Sequence, residues 1–313
     1  MQKENGSGLA FTLRWLFSRL SNRQFLFFGA VVVGLWTGLS AVLLKTTVHH
    51  IQDLLGLLAV NNRWIYVVGP VAGIGLSLLF VILFLKGSME KGTHHVLKSI
   101  AKGRSILPLK ETFTHLVTNA MTVGLGGSAG LESPIVQTGS AIGSSFAGYF
   151  PVGYRERTHL LACGAAAGIA TAFNAPIAGM LFALEVLLVD VSITAFIPLL
   201  IAGATGALCS NIILSEGILL SFRGLTDFEY QNTPSYMLLG AVCGLISVFY
   251  MRAYQRLESM FKSALPNRFA RFACGSLLLG LLIRSSCIFR RRLCFHQGIG
   301  GFKSRRIVQG EYN

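Results

Sequence analysis

The sequence predicts an all-α protein built inside a lipid bilayer. Of the 313 residues, 52% are hydrophobic and only 13% are charged, and the mean hydropathy is +0.60. Soluble domains carry about 25% charged residues. Seven apolar runs stand out: Phe25–Leu44, Ile65–Leu85, Leu160–Phe173, Pro176–Val189, Ile193–Leu214, Tyr236–Tyr250 and Ala273–Ile283. Several fall short of the roughly 20 residues that a straight span needs, and glycines interrupt them. Short, interrupted segments are expected where broken helices meet in mid-membrane. A fold with tilted and re-entrant helices is therefore favoured over a simple seven-span bundle.

The elements follow in order. Residues 1–24 are polar and basic (Lys3, Arg14, Arg19, Arg23) and lead straight into a run long enough to span. They read as a cytoplasmic, interfacial arm held by the positive-inside effect, and not as a cleaved signal peptide. Two apolar hairpin arms come next, joined by the polar stretch Thr46–Trp64. Lys86–Leu109 is polar and basic, Thr112–Phe150 is rich in glycine and small residues, and Pro151–Thr158 reads as a short loop. Leu160–Leu214 is nearly continuous membrane-grade sequence, punctuated by Asn174-Ala175-Pro176. Ser215–Pro234 is a polar connection, and Tyr236–Ala264 begins apolar and ends charged, as a helix leaving the membrane does. Glycines recur four apart at Gly34/Gly38, Gly139/Gly143, Gly164/Gly168 and Gly240/Gly244. In membranes that spacing lets helix backbones approach closely.

The net charge of +14 would suggest nucleic acid in a soluble protein. In a membrane protein, basic residues at span edges set topology and touch acidic lipids, so no nucleic-acid partner is expected. Residues 284–313 hold seven basic residues and one acid. The six cysteines (Cys163, Cys209, Cys243, Cys274, Cys287, Cys294) form no CxxC pair and imply neither a disulfide framework nor a metal site. The first four are expected to be small packing residues. The pairs His49/His50 and His94/His95 are adjacent and so do not share a helix face; they read as interfacial. No metal or cofactor is expected.

Gly126-Gly127-Ser128-Ala129-Gly130-Leu131-Glu132-Ser133-Pro134-Ile135-Val136-Gln137 sets one carboxylate in a glycine-rich loop ahead of a helix-starting proline. Ser133 fits the N-cap and Pro134 the first helical position. A helix start offers free N–H groups and the positive end of a dipole, so it attracts anions. A tethered Glu132 carboxylate can compete with a diffusing anion for that place, which is the basis of a gate. Gly126-Gly127-Ser128-Ala129-Gly130 also matches a hydrolase nucleophile elbow, with His115 or His159 as base, but that motif needs a strand–turn–helix setting.

Three blocks resemble the CLC family of chloride channels and transporters. They are Gly130-Leu131-Glu132-Ser133-Pro134, the string Gly164–Gly179 containing Phe173-Asn174-Ala175-Pro176, and Leu181-Phe182-Ala183-Leu184-Glu185-Val186. The resemblance runs over about residues 25–283. It implies an inverted-repeat fold in which a first repeat reaches about residue 214 and an incomplete second begins after about 235. It implies chloride or another small anion as cargo, a multi-pass protein of the cell membrane, a homodimer, and no enzymatic activity. By resemblance Glu132 is the gating glutamate, and the loop Gly130, Leu131, Glu132, Ser133, Pro134, Ile135, Val136 lines the anion site.

The family's usual glycine after the glutamate is Ser133 here. A second filter loop aligns with Lys91, Gly92 and Thr93, where Lys91 stands in place of the anion-binding serine. The family's proton-passing glutamate aligns with Val186, which favours passive conduction or another proton route; Glu185 is expected to be structural. Beyond Ile283, arginine-rich sequence replaces apolar helix, so residues 284–313 are expected to be a basic non-family tail. A truncation or shifted frame near Ile283 would produce it. A non-conducting membrane fragment is the alternative reading.

Overall fold

A computed structural model describes residues 21–61, 64–85, 93–187, 193–214, 232–265 and 267–290. Their secondary structure is helical: α1 Asn22–Asn61, α2 Ile65–Leu85, α3 Thr93–Ala101, α4 Glu111–Gly124, α5 Glu132–Gly148, α6 Tyr154–Phe173, α7 Pro176–Val186, α8 Ile193–Leu214, α9 Thr233–Ala264 and α10 Arg268–Arg290. Among the described residues, four stretches are long and apolar enough to cross a membrane: Asn22–Leu58, Val67–Phe84, Ala195–Leu214 and Thr233–Ala264.

Two boundaries differ from the sequence expectation. The polar stretch after Thr46 is no joint, because α1 runs on to Asn61. The Thr47 hydroxyl in that stretch is satisfied inside the helix, Oγ1 donating to Leu43 O at 2.7 Å, as is Ser40 earlier in α1, Oγ donating to Trp36 O at 2.8 Å, so neither breaks it. At 1.5 Å per residue a helix of 40 residues is about 60 Å long, roughly twice the hydrocarbon core. α1 must therefore tilt or protrude. The expected loop Pro151–Thr158 is likewise shortened, since α6 starts at Tyr154. α6 ends at Asn174, whose left-handed backbone (φ 54°, ψ 40°) closes the helix, and Pro176 opens α7.

Small residues make the core crossings. A Cβ on Gly139 would collide with the carbonyl of Gly164, and one on Gly143 with the carbonyl of Leu160. One on Gly168 would sit 3.1 Å from Ile135 O. These contacts between α5 and α6 share a single antiparallel register, in which 143 faces 160, 139 faces 164 and 135 faces 168. Gly34 lies against Ala202 and Thr205, and Gly38 against Gly206, fastening α1 to α8. Gly179 of α7 lies against Ala166 and Ala170 of α6. Gly240 and Gly244 behave differently: they meet open space, and no residue of α9 is buried.

The cysteines divide in the same way. Cys163 is buried and Cys209 partly so, but Cys243 on α9 and Cys274 on α10 are exposed. The connection from α3 to α4 is pinned to the core. Ser105 (φ 47°) bonds Thr158 Oγ1 at 2.7 Å, while Ser144 Oγ donates to Ser105 O at 2.8 Å and accepts from Leu107 N–H at 2.9 Å.

Candidate functional site

α4 closes with two nested hydrogen bonds, Gly127 N–H to Thr122 O at 2.8 Å and Gly126 N–H to Val123 O at 3.1 Å. Gly126 takes φ +95° to allow this. That pairing is a Schellman motif, which needs a residue free of the Cβ penalty at its left-handed position. It turns the chain so that Ser128–Leu131 forms a short loop into α5.

α5 begins at Glu132, two residues ahead of the expected first helical position, Pro134. Leu131 occupies the cap position with φ −88° and ψ −13°, and no side chain caps the helix. Ser133 is therefore not the cap: the chain already winds as a helix at Leu131, leaving no extended residue to serve. The Ser133 hydroxyl instead accepts from Gln137 Nε2 at 3.3 Å. The first helical bond is Ile135 N–H to Leu131 O at 3.1 Å. Among the described residues, the N–H groups of Gly130, Leu131, Glu132 and Ser133 find no acceptor in the protein.

The predicted loop is thus split by its surroundings. Gly130, Glu132 and Ser133 are exposed and Leu131 is half-buried, whereas Pro134, Ile135 and Val136 are buried. Pro134 carries no N–H, and that of Ile135 is already used. The Glu132 side chain folds back over the loop, where a Cβ on Gly130 would collide with its Oε2. The carboxylate therefore lies beside Gly130, next to a helix start whose amides are open.

Of the second filter loop, Lys91 and Gly92 lie outside the described residues. Thr93 opens α3. Val96 of α3 and Val136 of α5 belong to one buried cluster with Ile100, Leu107, Leu161 and Ala165, so the first turns of α3 and α5 share a neighbourhood. Val186 is exposed at the end of α7. Glu185 is exposed too, and among the described residues it makes no hydrogen bond that would tie helices together. Ser128 is exposed on the loop between two helices, with no strand before it and no hydrogen bond to His115 or His159. The arrangement lacks the parts of a nucleophile elbow.

Sequence reasoning misses one polar residue. Lys45 of α1 is half-buried and donates from Nζ to Thr171 O at 3.3 Å, in the last turn of α6. The apolar run ends at Leu44, so in sequence Lys45 looks like an interfacial edge. The available signal is that it is the sole Lys or Arg between Arg23 and Arg63.

The pattern of the family described as "Voltage gated chloride channel" matches residues 73–305, which carries the match past Ile283. The chain is 28% identical over 223 residues to the putative chloride channel protein ClcB-like of Ralstonia nicotianae, covering 70% of this chain and 52% of that protein. It is 28% identical to chloride channel protein CLC-e of Arabidopsis thaliana (79% and 37% covered) and 29% identical to the H(+)/Cl(-) exchange transporter ClcA of Salmonella typhi (80% and 55%). The chain spans about half the length of these curated relatives or less. Two solved structures share its fold: a slow cyanobacterial Cl−/H+ antiporter (TM-score 0.72, 24% identity, 84% of this chain and 64% of that one) and a CLC-type fluoride/proton antiporter (TM-score 0.71, 22% identity, 89% and 71%). With the motif block at Gly130–Pro134, the helical architecture and the family match in agreement, the chain belongs to the voltage gated chloride channel family.

Proposed function

We propose that this protein carries chloride or another small anion across the cell membrane, and that Glu132 gates the path. The observation that carries the reading is the start of α5: unpaired amides from Gly130 to Ser133, with the Glu132 carboxylate laid back over Gly130. An anion and a carboxylate satisfy the same donors and the same dipole. The carboxylate therefore closes the site when charged and vacates it when protonated or displaced. A dimer of identical chains, each with its own path, is part of this proposal.

The test is chloride efflux from vesicles holding chain 1–313, beside empty vesicles. Efflux should rise as pH falls, because protonation removes the competing charge. Glu132→Gln should be fast at all pH values and Glu132→Ala faster than wild type at neutral pH. A pH response that survives Glu132→Gln would refute the gating role. No efflux from well-folded protein would refute transport by this chain and assign it a non-conducting role.

A further inference from the structure

We propose that Lys45 is the positive charge of the anion site, set at the level of Glu132 by the register of α5 against α6. The inference rests on the reading of Glu132 given above, and it starts from three backbone contacts. Residues 143, 139 and 135 of α5 face 160, 164 and 168 of α6. Each step of four along one helix is matched by four along the other, so the helices run nearly antiparallel over this stretch. One further turn places Thr171 opposite Glu132. The carbonyl of Thr171 is the group that holds the Lys45 ammonium, at 3.3 Å.

α1 supports the same placement. Leu44 and Val48 flank Lys45 and belong to one buried cluster with Leu131, Ile135 and Ala172, the residues next to the loop and to Thr171. Further along α1, Gln52 Nε2 donates to Val123 O at 3.3 Å, and Ile51 lies against Gly124. α1 therefore runs beside the end of α4, the loop, the start of α5 and the end of α6. A charged lysine among apolar helices marks a functional position by default. It has two effects here: it neutralises the carbonyl end of α6, and it adds a point charge to the open amides of α5. The other ionisable side chains on the surrounding helices are Arg23, His49, His50 and Asp53 on α1, His94, His95 and Lys98 on α3, and Glu111 and His115 on α4; α6 carries none after Cys163.

The charge is measured where it acts. In Ser133→Cys, the exposed position beside Glu132 is modified with an anionic and with a cationic methanethiosulfonate, and labelling of that peptide is timed by mass. A unit charge two helix turns (about 11 Å) away, at an effective dielectric of about 40 for an exposed position, shifts the two rates in opposite directions by about 0.7–0.8 kcal/mol each, which changes the ratio by roughly tenfold. Lys45→Gln keeps a donor for Thr171 O and removes the charge. It should cut the anionic-to-cationic rate ratio roughly tenfold, and Lys45→Arg should restore it. An unchanged ratio in Lys45→Gln overturns the proposal, as does a loss that arginine fails to rescue, since either would leave Lys45 a mechanical tie. Chloride protection of the thiol introduced by Ser133→Cys is read in the same samples. A charge effect without protection would retire the anion-site reading while leaving the Lys45 field standing; protection without a charge effect would do the reverse.

Discussion

Replacing Gly130 with alanine should move one carboxylate and little else. A Cβ there would overlap Glu132 Oε2, and the next nearest atom is Glu132 Cδ at 3.4 Å. Gly130 does not use a left-handed φ, so alanine fits its backbone. The obstacle is the far end of a flexible side chain, which can swing away without disturbing the fold. What is lost is the carboxylate's place beside the first turn of α5, an interaction of typically 0.3–1 kcal/mol, up to about 2 kcal/mol when partly buried. At about 1 kcal/mol, the carboxylate loses roughly fivefold against a diffusing anion. The assay is the chloride dependence of efflux, with thermal unfolding alongside. Half-saturation should fall about fivefold at unchanged stability. In a Glu132→Gln background, where no charge remains to be displaced, the shift should shrink below about twofold. The same shift in both backgrounds would refute the reasoning, because Gly130 would then act through the loop backbone.

Other consequences follow from the helix crossings. Gly164→Ala drives a methyl into the Gly139 carbonyl and should cost about 1–3 kcal/mol. Gly168→Ala meets Ile135 O at 3.1 Å, and its strain is offset by the roughly 1 kcal/mol helix preference of alanine; thermal unfolding in detergent should separate the two. Ser144→Ala removes the acceptor of the buried Leu107 N–H and should destabilise by about 1–3 kcal/mol, visible as faster hydrogen exchange in the α3–α4 connection. Gly240→Ala, on a face that meets nothing, should leave stability unchanged or raise it by up to about 1 kcal/mol.

Much of the architecture is legible because membrane helices announce themselves by length and by small residues. The four-residue glycine spacings at 34/38, 139/143 and 164/168 all become crossings. The spacing at 240/244 does not, since a stripe of glycines permits an approach without specifying a partner. The sequence locates the helix start at Glu132 to within two residues and misplaces its cap by the same amount. Capping depends on the ψ of Leu131, a backbone angle that sequence does not reveal. Lys45 escapes notice because a hydropathy window ends where a charge begins, whereas α1 continues through that charge to Asn61. Its neighbour in space, Thr171, lies 126 positions away, beyond the reach of any local pattern.

The α5–α6 crossing has a consequence for how this site can move. Where helices meet through leucines or methionines, a rotamer change lets one element slide past the other. Gly139 and Gly164 meet through main-chain atoms, and a peptide group has no rotamer to change. The pair acts as a fixed bearing: α5 cannot shift along α6 without breaking contact. The freedom left at this end of the helix belongs to the Glu132 side chain, whose few torsions can be crossed quickly and with little disturbance to the packed body.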